Sequence, residues 1–152
     1  MSYTAAEARQ ELLDAVAQAI DEVAVALAAL GGAYELLDET TGDTLEEQLF
    51  RPTQLAYGRA KRTHAAFAER HGLPGRTFAP ASSGLPSQGV KGFLDAAGDA
   101  AEQADGVLAT LQDSMMPVEV GDVELRAGLS EVRTLLGQLP GRARQLVRTL
   151  GR

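Results

Sequence analysis

The chain contains no cysteine, so a disulfide framework, a thiolate metal site and a cysteine nucleophile are all excluded. Its only histidines are His64 and His71. Three places before them stand Lys61 and Ala68, so the Glu-x-x-His pairs of carboxylate-bridged metal bundles are missing. The two histidines are seven residues apart, ~10 Å along a helix axis, which is too far to share one ion directly. Neither a Gly-x-Ser-x-Gly turn nor a phosphate-cradling glycine loop occurs. The expectation is a protein without metal, cofactor or enzymatic activity.

Long apolar runs are lacking too. The longest, over residues 23–34, is about a dozen residues and falls short of the ~20 needed to cross a bilayer. No basic leader of the secretory kind stands among residues 1–11, and a soluble, cytoplasmic protein is expected. Acids outnumber bases by 21 to 14, for a net charge of −7. That balance argues against a dedicated nucleic-acid binder.

What the chain does have is hydrophobic seams. Leu13, Val16, Ile20, Val23, Leu27, Leu30, Tyr34 and Leu37 follow one another at alternating steps of three and four. Two later segments repeat the spacing, from Val90 through Leu94, Ala97, Ala101, Ala104, Leu108 and Leu111, and from Leu125 through Leu129, Val132, Leu136, Leu139, Ala143 and Leu146. Steps of three and four place side chains on one stripe of a helix, and their sustained repeat describes helices packed side by side at a shallow angle. With 152 residues, 45% of them hydrophobic, the chain forms one domain. The expected fold is all-α: a single up-down-up-down four-helix bundle spanning residues 1–152.

Helix punctuation sets the expected boundaries at about 4–40, 44–72, 87–116 and 122–150. Capping boxes at Thr4–Glu7 and Thr44–Glu47 open the first two helices, with a turn at Thr41–Asp43 between them. The seam keeps its phase across Gly31-Gly32, so the first helix should continue through that pair. Pro52 should kink the second helix, and Pro140 should kink or break the fourth. Ser87 and Asp122 are the expected starts of the third and fourth. The Pro- and Gly-rich stretch 73–86 is long for a connection, and its aromatic, Phe78, is expected to tuck over a bundle end.

Charge alternates along the chain. Residues 1–48 carry eleven acids and one base, 49–86 one acid and six bases, 87–124 eight acids and one base, and 125–152 one acid and six bases. If each helix lies beside its neighbours in sequence, every adjacent pair has opposite sign. Single exposed pairs contribute only ~0–1 kcal/mol, but together they disfavour arrangements that bring like charges together.

The second helix departs from the pattern of the others. Phe50, Tyr57, His64 and His71 fall seven apart and make an aromatic and imidazole stripe, whose polar groups need partners or water. Opposite it, the third helix would offer Ala97, Ala101 and Ala104. One expectation is a small-ligand pocket between helices two and three, lined by Tyr57, His64 and Phe67 with Arg59 or Lys61 at its rim. The other is that alanines let the helices approach and the aromatics fill the gap. A further feature is the Arg-rich end, where Arg142, Arg144, Arg148 and Arg152 could meet an anionic membrane or nucleic-acid surface, or pair with acidic neighbours. Together these features point to a non-enzymatic interaction or scaffold protein that binds a protein partner or itself. A small-ligand binder or sensor is the alternative, and anionic-surface binding a further one.

Overall fold

A computed structural model of the protein describes residues 4–151, and among them all regular structure is helical. Helix α1 (Ala5–Tyr34) begins where the Thr4 hydroxyl accepts the Glu7 amide at 3.0 Å, which satisfies one of the free donors of the first turn. It runs through Gly31 and Gly32 without interruption. Gly32 has a packing reason to be glycine: a Cβ there would lie 2.7 Å from the Phe93 ring.

The end of α1 and the start of the next helix differ from expectation. α1 stops at Tyr34, and the reversal occupies residues 35–38 rather than Thr41–Asp43. Asp38 is responsible. Its carboxylate accepts the Thr41 amide at 2.8 Å and caps α2 (Glu39–Leu45), so Thr44 lies inside a helix and does not start one. A π-helical turn (Glu46–Phe50) joins α2 to α3 (Arg51–Arg70), and the three segments form one long rod. The π turn has a cause in Pro52, which has no N–H for the Gln48 carbonyl and whose ring would crowd it. Widening the helix lets the Arg51 amide bond to Glu46, five residues back. The stranded Gln48 carbonyl accepts the Arg142 guanidinium instead, at 3.0 Å.

A 3-10 turn (Pro86–Gln88) precedes α4 (Gly89–Asp113), so Ser87 sits in that turn and does not cap the helix. The chain reverses at Met115, which has a φ of 66°, and Pro117 falls in the first turn of the short α5 (Met116–Glu119). Asp122 caps α6 (Val123–Leu150) by accepting the Leu125 amide at 2.8 Å, and α6 continues through Pro140 unbroken.

Four long rods enclose one apolar core, but their order around the bundle is not serial. α1 packs most extensively on α4, α4 on α6, α6 on α3 and α3 on α1, which leaves α3 and α4 on a diagonal. Gly32 meets Phe93, and Glu11 and Ala15 face Thr110 and Leu111 across the same pair, so α1 and α4 are antiparallel. Gly128 meets Thr63 and Asp122 meets Arg70, so α3 and α6 are antiparallel as well. The rods therefore run up, down, down, up. Acidic α1 lies against acidic α4, and basic α3 against basic α6. Small side chains decide this. α1 buries Ala19, Ala26, Ala29 and Ala33, while α4 buries Ala97, Ala100, Ala101 and Ala104. Such faces let two helices approach closely, and the apolar area removed from water outweighs surface charge pairs of ~0–1 kcal/mol each.

This order makes the second connection a crossover. α3 ends beside the start of α6, whereas α4 starts at the other end of the bundle beside Gly32. α4 has 25 residues and is therefore ~37 Å long. The fifteen non-helical residues 71–85 reach up to ~50 Å when extended, enough to run the length of the bundle.

Candidate functional site

The crossover lies along the flank between α1 and α3. Arg76 donates to both oxygens of Asp21 in α1, at 2.9 and 3.2 Å, and its guanidinium stands 4.7 Å from the Phe78 ring centroid. Phe78 meets the His64 ring edge-on at 5.2 Å, so it covers the bundle's side and not its end. His64 is 3% exposed, and its Nδ1 has no hydrogen-bond partner. Burial pushes its imidazole pKa down, Arg76 adds to that, and Asp14 opposes it.

Next to this cover is a groove of about 440 Å³. α1 contributes Ala24, Leu27, Ala28 and Gly31, which fall on one face at helical spacing. The second rod contributes Phe50, Gln54, Tyr57 and Lys61, also three or four apart, and the crossover adds Phe78, Pro80 and Ala81. The Lys61 ammonium lies 4.2 Å from the Tyr57 ring centroid, within cation–π range. Among the described residues Lys61 makes no ion pair. Burial pushes the Tyr57 phenol pKa up, and the charge of Asp21 adds to that, so the phenol is a donor at neutral pH. Gly31 and Phe50 also line an adjoining hollow of about 350 Å³ with Tyr34, Glu35 and Glu46.

The site expected between helices two and three is therefore relocated. Those helices do not face each other, and the groove lies between helices one and two. Tyr57 and Lys61 line it. His64 supports its wall through Phe78. Phe67 is core, with its ring centroid 4.4 Å from that of His71. Arg59 turns the other way and pairs with Glu131 of α6. The α1 wall and the crossover were not anticipated as lining, although Leu27 and Phe78 had each stood out for other reasons.

A second polar cluster serves as a tether. Arg70 donates Nε and Nη2 to Asp122, each at 2.8 Å, and His71 Nε2 lies 3.0 Å from the same carboxylate. Burial would raise the Asp122 carboxyl pKa, but Arg70, the Leu125 amide and His71 outweigh it and hold the value at about 2. The cluster joins the end of α3 to the start of α6. Arg142 bonds the Gln48 carbonyl, Arg144 lies 3.7 Å from Glu102, and Arg148 donates to Gln145 at 2.6 Å. Arg152 lies outside the described residues. Among the described residues no three His, Asp or Glu side chains converge, and no helix is long and apolar enough to cross a membrane.

The chain was compared with protein-family models, curated proteins and solved structures. It matches none of them. A function for the groove rests on its own chemistry.

Proposed function

We propose that the protein is a non-enzymatic binding module whose binding face is the groove between α1 and the second rod. One observation carries this: an apolar groove of about 440 Å³ whose lining includes a single cation and no carboxylate. That volume falls in the range of small-molecule sites, which combine apolar walls with a few placed polar groups. The lining has no imidazole or carboxylate to move a proton, which favours holding a ligand over transforming it. The occupant is an apolar or amphiphilic small molecule.

The test is fluorescence titration with N-phenyl-1-naphthylamine, a neutral apolar probe that brightens out of water. Saturable enhancement at one site per chain is expected, with loss of that site in Gly31→Leu. A Cβ at Gly31 meets nothing within 4 Å, and leucine is the better helix former, so the variant should fill the groove while keeping the fold. Enhancement that ignores Gly31→Leu, or no saturable enhancement, would remove this proposal.

A second proposal is association with a protein, the simplest partner being another copy of the chain. It is supported by an apolar patch around α5, where Met115, Val118 and Val123 are 49%, 58% and 68% exposed. Sedimentation equilibrium should then detect a concentration-dependent dimer that Val118→Lys with Val123→Lys dissociates. A monomer at every concentration would count against it.

A further inference from the structure

We infer that this groove, taken as the binding face proposed above, accepts an amphiphile with a carboxylate head and a flexible hydrocarbon tail. The two ends of the groove differ in charge, and that polarity selects the ligand. At one end stand Lys61 and the Tyr57 phenol. Lys61 has no carboxylate partner among the described residues, and the phenol has none for its hydroxyl. Asp21, whose charge reaches Tyr57, is held by Arg76 at 2.9 Å and does not neutralise the ammonium. A cation and a hydroxyl donor side by side, flanked by apolar walls, suit an oxyanion that accepts charge-assisted hydrogen bonds.

Away from Lys61 the groove is mostly apolar, along Leu27 and Ala28 of α1 and Phe50 of the second rod, with the neutral amide of Gln54 as the polar side chain between Phe50 and Tyr57. Lys61 and Phe50 are eleven residues apart on one helical face, ~16 Å along the rod, room for an extended tail. Beyond Phe50 the adjoining hollow is edged by Glu35 and Glu46, which repel a carboxylate and oppose the reversed orientation. The head therefore sits at Lys61 and the tail points toward Gly31. A cationic amphiphile would meet Lys61 with like charge, and a neutral one would leave the ammonium desolvated without a partner.

Calorimetric titration of the full chain with decanoate and with 1-decanol, both below aggregation, tests this. One decanoate per chain is expected, bound about tenfold more tightly than decanol. Lys61→Gln should erase that preference, weakening decanoate while decanol, relieved of a desolvated ammonium, binds no more weakly than before, and Gly31→Leu should weaken both ligands about tenfold or more. Equal affinities with no effect of Lys61→Gln would overturn the anionic head yet leave the groove itself standing. Decanoate binding that ignores Gly31→Leu, occurs at many sites, or is absent would overturn the inference. In those cases the neutral-probe titration decides separately whether the groove binds at all.

Discussion

At the scale of single residues, His64 and Asp122 set how the protein responds to acid. His64 is buried with an unpartnered Nδ1, and an unsatisfied buried polar group costs ~1–3 kcal/mol. Its pKa is lowered in the fold, so the unfolded chain takes up the proton first. Stability is therefore fully present above the unfolded value of ~6.5 and is lost as pH falls from there through the folded value. His64→Leu keeps an apolar surface against Phe78. By urea denaturation it should match or exceed the parent at pH 7.5 and exceed it by more at pH 5.5. A large loss at both values would mean that the ring has a structural partner. Asp122 acts lower. Its carboxyl is held at about 2 against ~3.9 when unfolded, so its contribution is fully present above about pH 5 and is lost as pH falls through about 2. Asn can still cap a helix, so Asp122→Asn isolates the charge. It should cost about 1–2 kcal/mol at neutral pH, after discounting for solvent screening, and only a small fraction of that at about pH 2. At this scale only Tyr57 and Lys61 of the groove lining were legible in the sequence. Lys61 is four residues from Tyr57 and shares its face, whereas Arg59 is two residues away, ~200° around the helix, and has to look elsewhere.

At the scale of elements, the helix expected to start at Thr44 is capped instead by Asp38. Asp38 prevails because a helix begun there buries Leu45 and Leu49 in the core. The polar pattern of the caps alone does not separate them, since each residue type can satisfy the free first-turn donors of a helix begun at it. The disturbance at Pro52 was legible because its cause is covalent, but its form, a π turn whose freed Gln48 carbonyl is answered by Arg142, involves a contact between residues 94 apart in sequence. Which helices approach closely was not legible, and Gly128 shows why. A Cβ there would fall 2.2 Å from the Thr63 hydroxyl, which is itself bonded to the Arg59 carbonyl at 2.8 Å. Gly128→Ala should therefore destabilise by about 1–2 kcal/mol despite alanine's better helix propensity. Adding Thr63→Ala should recover most of the loss, a coupling of at least ~0.5 kcal/mol in a double-mutant cycle. Additive losses would mean that α3 and α6 do not meet there.

For the whole molecule, the seams were enough to indicate an all-α bundle, because their spacing depends only on which residues are apolar. The order of the rods was not readable the same way. Alternating charge suggested serial neighbours, yet the pairing follows alanine faces, whose burial outweighs solvated charge. Ion pairs then form where single residues allow. Glu131, the one acid of residues 125–152, meets Arg59 across two basic helices. The length of the 71–85 connection did carry the information, since only a parallel crossover needs to span a bundle. The groove depends on that order: the crossover covers the flank of α1 and α3 only because α4 starts at the far end. Serial packing would put α3 and α6 on a diagonal, whereas here Thr63 Cβ lies 3.0 Å from the Cβ position of Gly128, close to the ~3.5–4.5 Å of a disulfide after a small shift. Because the chain has no cysteine, Thr63→Cys with Gly128→Cys gives an unambiguous readout on mild oxidation. The expected result is an intramolecular disulfide in the monomer with helicity retained. Two thiols that stay free, or that link only between molecules, would contradict the packing order and remove the groove with it.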